Sequence, residues 1–228
     1  MKVQSIFDSD SVATHKSTYI IAEIGSNFDG SRKRAESLIE LAAESGADAA
    51  KFQAFSPETI ISQVGFDGLK MGFQSDWPKS VYQTYADAAL PREWIPGLAS
   101  CCEEHGIEFL CTPYDHDAVE ILEEVGVPAY KIGSGDITWH SFIRSVADTQ
   151  RPVILATGAS TLGEVEQAVE AIRSTGNDRL VLLQCITDYP SDFESAHLRA
   201  MRTLQQAFGT LVGYSDHTPG SVVPLGAV

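Results

Sequence analysis

The sequence predicts an α/β fold of the (β/α)8 barrel class, and three observations lead to it. Short apolar, β-branched runs alternate with segments of helical period, which is the pattern of strand–helix–strand units and a parallel sheet. The runs are apolar throughout, as expected of strands that are covered on both faces. Seven such units follow one another, and no G-x-G-x-x-G motif follows the first strand. A barrel is therefore favoured over an open dinucleotide-binding sheet.

Each element has a signal of its own. The strands are predicted at Tyr19–Ile24, Ala49–Phe52, Glu108–Thr112, Ala129–Ile132, Val153–Thr157, Leu180–Cys185 and Leu211–Ser215. The helices are predicted at Arg32–Ser45, Arg92–His105, Ala118–Val125, Ser141–Thr149, Leu162–Ser174 and Leu198–Phe208. Several helices are followed by a glycine, the usual residue at a left-handed helix stop: Gly46, Gly106, Gly126 and Gly176.

Composition excludes some partners. The chain has 228 residues and a formal net charge of −15, which argues against nucleic acid and against an anionic membrane. No apolar run approaches the roughly 18 residues of a membrane span, and the N-terminus lacks a secretory apolar core. The four cysteines form no CxxC pair. We therefore expect a cytoplasmic protein whose cysteines act as small apolar residues.

The domain organisation follows from the same pattern. Residues 1–17 are expected to be an N-terminal extension, and residues 18–228 a barrel domain that stops before an eighth strand. The long connection from Ser56 to Leu90 is expected to be a loop that covers the mouth of the barrel.

Polar residues begin at the carboxyl ends of the strands, where parallel α/β folds bind their ligands. They are Glu23, Lys51, Gln53, Thr112, Lys131, Ser134, Asp136, Thr157, Thr187, Tyr189, Ser215 and His217. The two lysines are either fixed cations for a phosphate or carboxylate, or lysines that extend from a strand edge into solvent.

Small residues stand beside these lysines. Ser134-Gly135 and Thr157-Gly158 can supply hydroxyls and close backbone N–H groups to a phosphate. Glu23 is a carboxylate among apolar neighbours and suits either a general base or a structural acceptor. His217 can bind a metal ion through its imidazole, but one histidine is not a complete site.

These motifs together resemble the sialic acid synthase family of N-acetylneuraminate, legionaminate and pseudaminate synthases. The resemblance rests on the segments IIAEIGSNFDG, GADAAKFQAF, FLCTPYD, VPAYKIGSGDIT, PVILATGAST, LLQCITDYP and VGYSDHTPG. It implies a TIM barrel that condenses phosphoenolpyruvate with an N-acylated aminosugar aldehyde, such as an N-acetylmannosamine-like sugar. The products are a sialic-acid-type nonulosonate and phosphate.

The resemblance also implies roles for the residues. Lys51 would meet the phosphoenolpyruvate carboxylate, and the groups around its phosphate would be Thr112, Lys131, Ser134, Thr157 and Ser215, with Thr187 near them. Gln53, Asp136 and Tyr189 would face the sugar, and Glu23 would orient or deprotonate the reacting water. His217 would bind a divalent cation, Mn²⁺ or Mg²⁺. The family's eighth strand, which carries a second metal-binding histidine, and its C-terminal domain, which swaps across a homodimer, are expected to be missing from this chain.

Two alternatives remain open at this stage. One is a Schiff-base aldolase that uses Lys51 or Lys131. The other is a non-catalytic truncated barrel that binds a phosphorylated metabolite or a protein partner.

Overall fold

The computed structural model describes residues 1–7, 18–66, 69 and 72–228. The chain divides into two compact units. The first comprises Met1–Lys2 and Tyr19–Pro128, and the second comprises Val3–Thr18 and Ala129–Val228. Most of the expected N-terminal extension, residues 8–17, lies outside the described residues, and that domain boundary stays a prediction.

The first unit is built on three parallel strands. They are β1 (Ile21–Gly25), β2 (Ala49–Ala54) and β3 (Glu108–Pro113), and β2 pairs with both of the others. Its helices are α1 (Arg32–Glu44), α2 (Pro57–Ile60), α3 (Gln63–Phe66), α4 (Val81–Ala88), α5 (Ile95–Glu104) and α6 (His116–Val125). Every residue of β3 is buried, as the apolar run predicts for a strand with both faces covered.

The second unit repeats the pattern with four parallel strands. They are β4 (Tyr130–Ile132), β5 (Val153–Ala156), β6 (Leu180–Cys185) and β7 (Leu211–Ser215), each paired with the next in chain order. Its helices are α7 (His140–Asp148), α8 (Leu162–Arg173), α9 (Arg199–Phe208) and α10 (Val222–Ala227). The predicted α/β class with parallel strands is thereby confirmed in both units. Closure into a barrel and the missing eighth strand stay predictions.

Local capping explains where the helices begin and end. Asp115 accepts a hydrogen bond from the Ala118 backbone N–H at 2.8 Å, so α6 begins at His116, two residues before the predicted start. Thr161 and Glu164 form a reciprocal capping box at the start of α8. Gly126 ends α6 at φ 72°, the left-handed conformation that its glycine predicts.

The long connection after β2 contains short helices, which the prediction of a covering loop did not specify. Its described residues form α2, α3, a 3-10 turn at Gly72–Asp76 and α4; residues 67, 68, 70 and 71 lie outside the described part. Within the first unit, Phe55 packs edge-on against Tyr85 of α4, at 5.7 Å between ring centroids. Thr59 of α2 donates to Asp115 at 3.0 Å. The connection is therefore anchored beside the carboxyl ends of β2 and β3, and its covering of a barrel mouth stays a prediction.

Among the residues that the structure describes, no helix is both long and apolar enough to cross a membrane.

Asn177 ties together the segments at the amino ends of the strands in the second unit, on the side away from the carboxyl ends. It is 2% exposed. Its amide donates to the carbonyls of Ala147 at 3.2 Å and Arg151 at 2.7 Å, and its oxygen accepts from the Arg179 N–H at 3.0 Å. One side chain thus bonds to three backbone groups, one in the last turn of α7 and two in the segments that precede β5 and β6.

We predict that Asn177→Ala lowers the free energy of unfolding by about 1–3 kcal/mol, because the partly buried Arg151 carbonyl and Arg179 N–H lose this partner. Urea denaturation measures the effect. Asp178→Ala, which removes the exposed neighbouring side chain, is the matched control and should change stability by less than about 0.5 kcal/mol. Equal stability of the two variants would contradict this role for Asn177.

Candidate active site

Lys51 is a buried charge at the centre of the first unit. It lies in the middle of β2, in register with Glu23 of β1 and Leu110 of β3, and is only 6% exposed. Its ammonium group forms an ion pair with the Glu23 carboxylate and lies 3.5 Å from the Thr112 hydroxyl. A buried ammonium requires such partners, because an unpaired charge in the interior is strongly destabilising.

Glu23 is held from two sides. One carboxylate oxygen pairs with Lys51, and the other accepts a hydrogen bond from the Gln53 amide at 3.1 Å. A β-bulge between Glu23 and Gly25 shifts the register here. We name these four residues the lysine–carboxylate cluster: Glu23, Lys51, Gln53 and Thr112. The structure thus brings together all four site residues that the sequence predicts in this unit.

Cys111 lies close to the same charges but does not take part. Burial raises the pKa of its thiol to about 12, against a smaller lowering by Lys51. The thiol is therefore neutral near pH 7. All four cysteines are free, and the interpretation of Cys111 as a small apolar residue agrees with its complete burial.

The second unit brings small residues together at the ends of β4, β5 and β6. We call Ser134, Thr157, Gly158 and Thr187 the hydroxyl cluster. The Gly158 N–H donates to the Ser134 hydroxyl oxygen at 2.9 Å, and the Ser134 hydroxyl also hydrogen-bonds with Cys185. The Thr157 hydroxyl instead donates to the Leu183 carbonyl at 3.0 Å. Gly158 thus fixes the Ser134 hydroxyl beside the end of β5, and Thr157 fastens β5 to β6.

Gly158 is required by close approach. A Cβ atom at this position would lie 2.8 Å from Thr187 Cγ2, 2.9 Å from Ser134 Oγ and 3.0 Å from the Cys185 carbonyl oxygen. The Thr-Gly pair after β5 therefore does more than turn the chain, because its glycine allows three strand ends to meet.

Lys131 and Asp136 also lie in the second unit, at and after the end of β4. Both are partly buried. Burial raises the pKa of the Asp136 carboxyl above its usual value, and the positive charge of Lys131 offsets part of that effect. The two charges thus interact, as expected if both face one polar site.

His217 lies between Cys185, the last residue of β6, and Tyr189 in the segment that follows it. Its Nε2 is 3.0 Å from the Tyr189 hydroxyl, and its Nδ1 is 3.9 Å from the Cys185 thiol. Burial raises the pKa of Cys185, but hydrogen bonds with His217, Ser134 and Ser215 outweigh it and leave the pKa below that of an ordinary thiol. Sequence reasoning missed Cys185 as a site neighbour. The available signal was its position at the carboxyl end of β6, in register with Ser215.

The expected metal site is incomplete in the described part of the chain. No three histidine, cysteine, aspartate or glutamate side chains there lie together as ligands. Both ring nitrogens of His217 already have neighbours. The described residues therefore do not form a metal site by themselves, and the role of His217 as a ligand stays a prediction.

A cavity of about 760 Å³ adjoins the hydroxyl cluster within the second unit. Its lining includes Thr157, Ser160, Thr161, Cys185, Thr187, Ser195 and His197. The cavity gives solvent and small ligands access to the end of β5.

The fold and these clusters define an α/β protein with polar groups gathered at the carboxyl ends of parallel strands. Residues 38–228 match the family model described as the NeuB family. The chain belongs to the NeuB family.

Named relatives agree with this membership. The N,N'-diacetyllegionaminic acid synthase of Campylobacter jejuni is 37% identical over 93% of this chain and 64% of that protein. The pseudaminic acid synthase of Helicobacter pylori is 33% identical over 90% of this chain and 61% of that protein. The crystal structure of an N-acetylneuraminic acid synthetase from Leptospira borgpetersenii matches with a TM-score of 0.81 and 30% identity. That match covers 93% of this chain and 69% of the other. The chain spans 57 to 64% of the length of the curated relatives that it matches.

We predict that Gly158→Ala lowers the free energy of unfolding by about 1–3 kcal/mol, because its methyl group overlaps with Thr187 and the Cys185 carbonyl. Chemical denaturation measures the change. Gly163→Ala is the control, since a Cβ atom there meets nothing within 4 Å and alanine favours the helix by up to about 1 kcal/mol. If the two variants are equally stable, the hydroxyl cluster is looser than described.

Proposed function

We propose that this chain carries an active site that condenses phosphoenolpyruvate with an N-acylated aminosugar aldehyde, forming a sialic-acid-type nonulosonate and phosphate. Membership of the NeuB family and the names of the relatives support the reaction class. The choice of aminosugar is part of the proposal. An N-acetylmannosamine-like sugar is the working candidate.

The observation that carries the proposal is the buried ammonium group of Lys51. A net charge of −15 repels anionic substrates in general, so an anion must be held by a few fixed cations. Lys51 is such a cation, placed by β2 and surrounded by Glu23 and Thr112. We assign it to the carboxylate of phosphoenolpyruvate.

The chemistry needs one new carbon–carbon bond and one water molecule. C3 of phosphoenolpyruvate attacks the aldehyde carbon of the sugar, and the former carbonyl oxygen takes a proton. Water adds at C2, and the resulting tetrahedral intermediate expels phosphate to leave the keto group. Glu23 is positioned by Gln53 and is suited to orient that water or accept its proton.

In the second unit the proposal assigns Ser134 to phosphate, because Gly158 fixes its hydroxyl beside the end of β5. Lys131, Thr157, Thr187 and Ser215 are proposed to contribute to the same phosphate region. Asp136, Tyr189 and, in the first unit, Gln53 are proposed as sugar contacts. Hydroxyl and amide groups suit a polyhydroxylated ligand, which offers both donors and acceptors.

The proposed divalent cation, Mn²⁺ or Mg²⁺ on His217, would polarise a carbonyl oxygen when bound. The described residues do not complete such a site, and none of the residue roles above depends on it.

Ion pairing weighs against a Schiff-base aldolase on Lys51. A Schiff base forms through the nitrogen lone pair of a lysine that is free to reach the carbonyl carbon. The Lys51 nitrogen is instead held in an ion pair with Glu23. Borohydride trapping with a keto acid would reveal the aldolase by a mass increase on one lysine.

The proposal is tested by measuring phosphate release from phosphoenolpyruvate in the presence of Mn²⁺ and a panel of N-acetylated aminosugars. We expect release only when a suitable sugar is present, and a loss of about 10²-fold or more in Lys51→Met, because the substrate anion then lacks its cation. Lys79→Met is the control, since Lys79 forms an exposed ion pair with Asp87.

The other outcomes of these measurements would change the proposed function. Binding of phosphoenolpyruvate without turnover under any of these conditions would favour the non-catalytic binding protein. No binding at all would refute the proposed function. An unchanged rate after chelation of divalent ions would remove the metal from the proposal.

A further inference from the structure

The Lys51–Glu23 ion pair is asymmetric. The Lys51 side chain is 7% exposed and the Glu23 side chain is 45% exposed. Lys51 cannot leave its position without carrying a charge through the interior of the unit, whereas the more exposed Glu23 can move away once another anion neutralises Lys51. The pair can therefore open from one side only, by movement of Glu23.

The donors of Lys51 are largely engaged without a ligand. An ammonium group has three N–H donors. One meets the Glu23 carboxylate, and the Thr112 hydroxyl lies 3.5 Å away. A ligand carboxylate that approached Lys51 while Glu23 stayed in place would put two like charges side by side, which is unfavourable in a partly buried site.

Gln53 provides a second attachment for Glu23. Its amide donates to the carboxylate oxygen Oε1, while Lys51 pairs with the other oxygen, Oε2. Loss of the Lys51 contact therefore does not free the side chain completely. Glu23 can remain near the cluster as an unpaired carboxylate, held by one hydrogen bond.

From these contacts we propose that Glu23 is a surrogate for the carboxylate of the ligand: it neutralises Lys51 until a ligand carboxylate replaces it, and the exchange releases Glu23 to act on the reacting water. This inference rests on the proposed function for the identity of the ligand. The exchange itself requires only a carboxylate at Lys51. It makes Glu23 a competitor for binding and, after the exchange, a group available for proton transfer.

The first experiment measures the Kd of phosphoenolpyruvate by calorimetry for the wild type and for Glu23→Gln, which keeps the shape and removes the charge. We expect the Kd of the variant to fall about tenfold, while phosphate release is lost. Glu36→Gln is the control for net charge, because Glu36 forms an exposed ion pair with Arg32, and its Kd should match the wild type. An unchanged or higher Kd in Glu23→Gln would overturn the proposal, because Glu23 would then support binding rather than compete with it.

A second experiment does not depend on turnover. Without ligand, Glu23→Gln should lower the midpoint of thermal unfolding, because Lys51 is left buried and unpaired. Pyruvate carries the carboxylate alone, and inorganic phosphate carries the other anionic group alone. We expect pyruvate to raise the midpoint of the variant more than that of the wild type, and phosphate to have no such differential effect.

The two proposals can fail separately. If the wild type neither binds phosphoenolpyruvate nor releases phosphate, the proposed function fails, yet preferential stabilisation of Glu23→Gln by pyruvate would still support the exchange. If neither pyruvate nor phosphoenolpyruvate stabilises Glu23→Gln more than the wild type, the exchange is refuted whatever the activity.

Discussion

A buried positive charge on β2 is the constraint around which the first unit is organised. Lys51 follows two alanines and is covered by neighbouring strands, so its ammonium group must find its partners at the carboxyl ends of β1 and β3. Glu23 and Thr112 supply them, and Gln53 then fixes the orientation of Glu23. The side chains that this charge recruits are the ones to which the proposed chemistry assigns roles.

The second unit gathers its polar groups by close approach rather than by charge. Gly158 lets the ends of β4, β5 and β6 meet, and its N–H fixes the oxygen of Ser134. Thr157 uses its hydroxyl to join β5 to Leu183 of β6. The contacts between strands thus give the two hydroxyls different partners: Thr157 bonds to the Leu183 carbonyl, whereas Ser134 bonds with Gly158 and Cys185.

Much of the fold could be predicted from the sequence, because parallel strands that are buried on both faces appear as continuous apolar runs. The bounds of β6 and β7 agree with the predicted bounds at both ends. The order of strands also places Lys51 and Thr112 at one edge. Pairwise contacts could not be predicted in the same way. Whether Lys51 extends into solvent or pairs with Glu23 depends on register and burial, and the helices between Ser56 and Leu90 depend on packing against Phe55. The neighbours of Cys185 depend on tertiary contacts that no periodicity encodes.

The most direct test of this account is a crystal structure of the chain with phosphoenolpyruvate. The account predicts a ligand carboxylate oxygen within about 3 Å of Lys51 Nζ, with Glu23 displaced from Lys51 and still hydrogen-bonded to Gln53. A ligand bound elsewhere, with the Lys51–Glu23 pair intact, would contradict it.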